Sequence, residues 1–188
     1  MEAIEAFNDF LGEQREVEGE ATLSMVQFDR EVERIFDGVE IDDVIELSRS
    51  DYRPRGMTAL LDAIGTTISR TRKRLRAEEG DAQVVIVVIT DGMENSSRDY
   101  SLNEVRRLLD HCEEELGWRF IFLAADLGSV RASRGIGFKQ ERAFVMGRGG
   151  AAHKRGVDLV SKKMAMMREH ENVEHLDFTQ KERDQYED

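Results

Sequence analysis

The chain has 188 residues, 40% of them hydrophobic, which suits one globular domain with a core of its own. Its 27 basic and 39 acidic side chains leave a net charge of −12, which argues against partners that are held through phosphates or anionic lipid headgroups, so we expect neither nucleic acid nor a membrane. No apolar run approaches the roughly 18 residues that cross a bilayer, and the start lacks the pattern of a signal peptide, so we expect a cytoplasmic protein.

The first predicted elements are a helix and a hairpin. Apolar residues recur at helical spacing from Ile4 to Leu11, so the chain opens in an amphipathic helix that ends before a turn at 18–20. Residues 21–28 and 31–36 alternate between apolar and polar side chains, and two residues separate them. This pattern predicts two antiparallel strands at a sheet edge, joined by a tight turn.

A helix and an apolar strand follow the only proline, Pro54. The helix begins near Thr58 and carries an apolar stripe that starts at Leu61. Residues 84–89 are six β-branched apolar residues in a row, a pattern typical of a strand that is buried on both faces. We expect this strand to lie at the centre of the sheet and Asp91 to stand at its end.

The next part of the chain predicts a βαβ unit and an edge strand. Ser101 and Glu104 form a capping box, and apolar residues follow at spacings of three and four. The single cysteine, Cys112, lies in this stripe, which predicts a core residue and excludes an internal disulfide. Residues 120–124 predict a second buried strand parallel to the first, and 143–146 predict a short edge strand.

A last helix completes the predicted fold. It has Val157, Val160, Met164 and Met167 on one face. We expect residues 1–168 to form a single domain and the charged tail from Glu169 to 188 to be frayed. The order of elements predicts an α/β fold of the Rossmann-like three-layer kind, with a mainly parallel sheet and helices on both faces.

Candidate ligand residues lie at the carboxyl ends of the predicted strands, where open α/β sheets normally bind their ligands. The segment directly after the central strand contains Asp91, Gly92 and Glu94, and its oxygen ligands suit Mg²⁺ or Mn²⁺. Asp126 follows the second buried strand and reaches the same rim, although a loop aspartate more often only turns the chain. The four histidines of the chain show no ligand spacing.

A second candidate segment runs over residues 55–58. Gly56 lets the chain turn there, and Thr58 offers a hydroxyl from a helix start. Taken separately, both segments have plain structural explanations, because Asp-Gly after a strand is a common turn and Thr58 can be an N-cap.

Taken together, the two segments resemble metal-site segments of von Willebrand factor A-type domains. Residues 56–64 are similar to the second such segment, and 89–92 end a strand as the third does. The resemblance extends to 7–11, 26–29 and 117–123 and so covers nearly the whole chain, as in small stand-alone bacterial and phage members.

This resemblance implies a metal-ion-dependent adhesion site. In the family, an Asp-x-Ser-x-Ser segment, a threonine and an aspartate hold a divalent cation whose open position takes a carboxylate of a partner protein. Thr58 and Asp91 match the last two ligands, but the first segment is absent, because in the family it precedes the opening helix with which this chain begins. We therefore expect a protein interaction module with an incomplete site that binds Mg²⁺ or Mn²⁺ weakly or not at all.

The same departure removes the strand that the family places between residues 21–28 and 84–89. Buried backbone groups left unpaired cost about 1 to 3 kcal/mol each, against a total stability of about 5 to 15 kcal/mol. Three solutions are open: a true start upstream of Met1, direct pairing of the two flanking strands, or a strand donated by another chain. For the chain as given, we expect direct pairing or a strained sheet.

An enzyme is the alternative. Phosphoryl-transfer hydrolases of the haloacid dehalogenase type use an aspartate after a buried strand as a Mg²⁺-dependent nucleophile, with a second acid two residues on and a distant lysine. Here Gly92 and Met93 follow Asp91, and no lysine lies near a strand end before Lys139. Since no nucleophile and base pair is recognisable, the sequence favours a binding module.

Overall fold

The computed structural model describes residues 2–51, 56–78 and 82–184. The helices are α1 Glu2–Arg15, α2 Leu60–Glu78, α3 Leu102–Glu115, α4 Leu127–Ile136, α5 Gly150–His170 and α6 Gln180–Asp184. The strands are β1 Thr22–Phe28, β2 Val32–Glu40, β3 Val85–Thr90, β4 Arg119–Ala124 and β5 Ala143–Val145. In the described parts of the chain, no helix combines the length and the apolar character needed to cross a membrane.

Most predicted elements are confirmed. The opening helix is α1, and β1 and β2 form the expected antiparallel hairpin, although β2 runs on to Glu40. The capping box of α3 is present, with the Ser101 hydroxyl and the Glu104 carboxylate each bonded to the other residue's backbone N–H. Cys112 is fully buried, and burial raises the pKa of its thiol. The first half of the predicted order therefore holds.

The strands β3, β4 and β5 form a parallel sheet. Its strand order is β3, β4, β5, and all neighbours are parallel. β4 lies in the middle, and its residues from Phe120 to Ala124 are all buried. The prediction that residues 84–89 form the central strand is wrong, because β3 lies at the edge of this sheet. An unbroken apolar run indicates that both faces of a strand are covered by other elements. It does not indicate whether a strand pairs with it on each side.

Helices cover both faces of the parallel sheet, as predicted. Residues of α2, α3 and α4 pack on one face around Phe120 and Phe122, and α5 packs on the other against Ile121 and Leu123. Along the strand β3, Ile86 contacts the first cluster while Val85, Val87 and Ile89 contact the second. The molecule is therefore a mixed α/β protein with a three-stranded parallel sheet between helices.

The hairpin does not join the parallel sheet. Among the described strands, β1 pairs with β2 alone and β3 pairs with β4 alone, so the prediction of direct pairing between the two is wrong. The hairpin is fixed to α1 through a cluster that includes Leu11, Leu23 and Phe36. α1 is in turn fixed to α5, where Gln14 Nε2 donates to the carbonyl of Ser161 at 2.9 Å. These contacts hold the hairpin to the helices, and among the described strands it forms a sheet of its own.

Two parts of the chain differ from the remaining predictions. α4, between β4 and β5, was not predicted, because a ten-residue helix with few apolar residues gives a weak stripe. The tail that we expected to be frayed from Glu169 to 188 instead continues in α5 and then folds back over its described residues, and 185–188 lie outside the described part of the chain. Leu176 and Phe178 are buried there, and the Phe178 ring lies 4.9 Å from that of Phe144. The segment is also fixed by polar contacts: Phe178 N–H donates to the carbonyl of Glu141 at 2.6 Å, and Lys163 Nζ donates to the carbonyl of Asp177 at 2.8 Å.

Candidate functional site

The two predicted segments meet at the carboxyl end of β3. Asn95 N–H donates to the carbonyl of Thr58 at 3.1 Å, and Thr58 N–H donates to Asn95 Oδ1 at 3.0 Å. A β-carbon added to Gly92 would lie 2.7 Å from Thr58 Oγ1, so the hydroxyl packs directly against the Gly92 backbone. The start of α2 and the Asp91–Gly92 turn are therefore neighbours, and any side chain at position 92 would displace the hydroxyl.

Thr90 shapes the turn that carries Asp91. Its hydroxyl donates to the Gly92 carbonyl at 2.9 Å and accepts from the Gly92 N–H at 3.2 Å. The side chain of Asp91 is left exposed, and no hydrogen bond from a described residue reaches its carboxylate. His153 lies in the first turn of α5, and burial lowers its pKa. The negative charge of Asp91 acts in the opposite direction and raises the pKa of His153.

Glu94 fastens the loop beneath this turn. Its carboxylate accepts from the backbone N–H of Leu61 and Ser96 at 2.9 Å, from that of Ser97 at 2.8 Å, and from the Ser97 hydroxyl at 2.7 Å. Burial raises the pKa of Glu94, but the four hydrogen bonds together outweigh it and hold the pKa below its ordinary value of 4.5. Because both oxygens are engaged, Glu94 supports the loop and offers no free oxygen to a metal.

A second carboxylate under the loop was missed by sequence reasoning. Asp62 is buried in the first turn of α2 and accepts from the backbone N–H groups of Arg98, Asp99 and Tyr100 at 2.8 to 2.9 Å. A signal was present, because Asp62 interrupts the apolar side of α2 beside Leu61. Its partners lie far along the chain, so their identity could not be read from the sequence.

The end of β1 completes the floor of the site. The carbonyl of Asp29 accepts from the backbone N–H of Ala59 at 2.6 Å and from the Ser96 hydroxyl at 3.4 Å. Three loops therefore converge here: those after β1 and β3, and the segment that leads into α2.

The remaining predicted site residues have other positions. Gly56 is exposed, with no neighbour within 4 Å of where a side chain would begin, and Arg55 lies outside the described residues. Asp126 is the N-cap of α4, where Oδ1 accepts from Ser129 N–H at 2.9 Å. That hydrogen bond is the main cause that lowers the pKa of Asp126, and the guanidinium of Arg148, 3.7 Å from Oδ2, adds to it.

The residues at the end of β3 fit only part of a metal coordination sphere. The Thr58 hydroxyl and the Asp91 carboxylate are hard oxygen donors of the kind that Mg²⁺ prefers. Among the described residues there is no cluster of three or more histidine, cysteine or acidic side chains arranged to hold a metal. A cation bound here would take its other ligands from water or from another molecule.

Neither the protein-family models nor the curated proteins match this chain.

Proposed function

We propose that this chain is a protein interaction module of the von Willebrand A type, and that Thr58, Asp91 and Gly92 bind an acidic side chain of a partner protein. The observation that carries the proposal is the packing of the Thr58 hydroxyl against Gly92, beside an exposed Asp91. Thr58 before α2 and Asp91 after β3 are 33 positions apart in the sequence. Together they offer two oxygen ligands on one rim.

The contrast between Asp91 and the acids around it supports a binding role. Glu94 and Asp62 are engaged in hydrogen bonds that hold the loop, whereas the Asp91 carboxylate receives none from the described residues. A loop that is already held loses little conformational entropy when a ligand binds to it. Met93, which is next to Asp91 in the chain and 59% exposed, offers an apolar contact of the kind found in interfaces.

A divalent cation would serve as the bridge. Two ionised carboxylates repel each other when they share a site, and a cation between them would remove that repulsion and let the partner's acid approach Asp91. With one carboxylate and one hydroxyl from this chain, the cation would be held weakly until the partner adds its own ligand.

Calorimetric titration with Mn²⁺ tests this proposal. We expect weak binding by the wild-type chain, its loss in Asp91→Asn, and its retention in Asp110→Asn, which removes the same charge from an exposed position of α3. Low-micromolar binding by the chain alone would contradict the incomplete site. Equal binding by wild type and Asp91→Asn would contradict the site itself.

An activity assay distinguishes the binding module from the alternative, a phosphoryl-transfer hydrolase. The chain is incubated with a generic aryl phosphate and Mg²⁺, and release of the aryl alcohol is followed. A binding module gives no turnover above the buffer rate. Turnover that disappears in Asp91→Ala and persists in Asp110→Asn would replace the proposal by a phosphoryl-transfer enzyme.

A further inference from the structure

The second half of α2 carries a concentration of positive charge in an otherwise acidic chain. Five of the seven residues from Arg70 to Arg76 are arginine or lysine, and the other 22 basic and 39 acidic side chains give the rest of the chain a charge of −17. Arg70, Lys73 and Arg76 are exposed and recur at every third position, which places them next to one another on the helix surface. We call these three side chains the cationic stripe.

The cationic stripe is not neutralised by the fold. No side chain within residues 2–51, 56–78 and 82–184 forms an ion pair with any of the three cations. Arg74, which lies between them, is paired with Glu78 at 3.1 Å. Like charges three and four positions apart destabilise a helix, and Arg70 has Lys73 and Arg74 at those spacings. A negatively charged ligand would remove this repulsion.

The helix dipole does not explain the cationic stripe. Cations near the carboxyl end of a helix are stabilised by the dipole, but the effect falls off within the last turn. Of the five cations, Arg76 alone lies in the last turn of α2. Arg70 is ten positions beyond the first residue of the helix, Leu60, so the stripe begins about 15 Å along the axis from the rim. The stripe is therefore a surface separate from Asp91.

On the side of α3, the positive charge is bordered by an acid. Arg72 Nη2 lies 3.2 Å from His111 Nε2, and His111 Nδ1 lies 3.4 Å from the carboxylate of Glu115. The side chain of Glu115 is 70% exposed, so its negative charge stands at the surface beside α2. A ligand that extends from the cationic stripe toward α3 would meet a carboxylate.

On the side of the hairpin, the positive charge ends at a neutral pair. The guanidinium of Arg74 lies against Gly38 of β2. The preceding residue, Asp37, forms an ion pair with Arg34. The favourable surface is therefore narrow. A membrane or a nucleic acid duplex would also contact the acidic surroundings, whereas a short segment can touch the cations alone.

We propose that the cationic stripe of α2 binds a short acidic segment of another protein, in which several aspartates or glutamates lie within a few residues. Carboxylates accept paired N–H bonds from arginine and a single bond from lysine. A second copy of this chain also carries exposed acids, for example in the turn at 16–20, but copies with a net charge of −12 repel each other. The contact requires no metal ion.

Fluorescence anisotropy with a labelled hexaglutamate peptide, at low salt and with EDTA, tests this inference. The wild-type chain is compared with a variant that combines Arg70→Gln, Lys73→Gln and Arg76→Gln. The wild type should bind at least about tenfold more tightly, because each exposed ion pair adds a small favourable contribution. Binding should weaken as salt is added, and a hexaglutamine peptide should not bind.

The matched control combines Arg131→Gln, Arg134→Gln and Lys162→Gln, which remove the same three charges from exposed positions of α4 and α5. It should keep the affinity of the wild type within about twofold, because distant sites act independently. Urea denaturation should show the α2 variant to be no less stable than the wild type, since the substitutions remove repulsion. Loss of binding would then not reflect loss of folding.

Four results would overturn the inference. Equal peptide affinity in the wild type and the α2 variant would show that the stripe does not bind acids. An equal loss in the control would show that only net charge matters. Tighter binding of a single-stranded DNA of equal charge, or of phosphatidylserine vesicles, would assign the stripe to nucleic acid or to a membrane. An oligomer in sedimentation that the α2 variant cannot form would assign it to a second copy. Asp91→Asn should keep the peptide affinity, which separates this inference from the proposed function.

Discussion

Two aspartates stand at the ends of neighbouring parallel strands, Asp91 after β3 and Asp126 after β4, and they have different environments. Asp126 is followed at once by α4, and its carboxylate accepts the Ser129 N–H as the helix cap. Asp91 is followed by a turn, and no described residue donates a hydrogen bond to its carboxylate. The same residue type at the same kind of position is thus engaged in one case and available in the other.

The difference shows what makes a strand-end aspartate a candidate ligand. A helix that starts directly after the strand supplies N–H groups, and the aspartate becomes part of the fold. A long loop follows Asp91 instead, and the carboxylates of Glu94 and Asp62 hold that loop by accepting hydrogen bonds from its backbone N–H groups. The acid at the tip, Asp91, then receives no hydrogen bond from the described residues, which is why we propose it as the ligand.

The largest expected effect comes from removing the buried support. Asp62→Ala leaves three backbone N–H groups of the loop without their acceptor, and we expect a loss of about 3 kcal/mol in the free energy of unfolding. Urea denaturation measures it. Asp62→Asn can keep an acceptor for two of these groups and should lose less, so equal losses in both variants would contradict the role given to Asp62.

A smaller effect, dependent on pH, is expected at Glu94. The folded-state pKa of Glu94 is lowered from 4.5, so its contribution to stability is present above pH 4.5 and disappears as the pH falls through the folded-state value. Glu94→Gln should cost about 1 to 2 kcal/mol at pH 7 and much less at low pH. Urea denaturation at pH 7 and at pH 3 checks this.

The control for this pH dependence is Glu114→Gln, an exposed position on α3. It should leave the pH dependence of stability as in the wild type. A Glu94→Gln loss that is the same at both pH values would show that the carboxylate charge contributes nothing to holding the loop.

The smallest changes in the free energy of unfolding are expected for the two strand-end aspartates, Asp126 and Asp91. Asp126→Ala removes a helix cap and should cost about 1 kcal/mol. Asp91→Ala removes an exposed carboxylate without a described donor and should change the free energy of unfolding by no more than about 0.5 kcal/mol. Thermal or urea denaturation of both variants decides the matter, and a larger loss for Asp91→Ala would reverse the assignment.

Much of the fold could be predicted from local patterns in the sequence. The capping box at Ser101 follows from a short segment, and so does the meeting of Thr58 with the Asp91–Gly92 turn, because a helix start and a strand end belong to the same rim. The position of β3 at an edge could not be predicted, because its apolar run records only the helices above and below it. The role of Asp62 depends on contacts across the fold with residues 98–100, which no local pattern specifies.

If Asp91 and Thr58 form the ligand-binding point of this rim, as we propose, bound Mn²⁺ will broaden the NMR signals of the amides around them, and this is the most direct test. We predict that small additions of Mn²⁺ broaden Thr58, Gly92 and Met93 before Gly128 and Ser129 at the end of β4, and that Asp91→Asn removes this preference. Broadening that is strongest around Asp126, or that is unchanged in Asp91→Asn, would contradict the account.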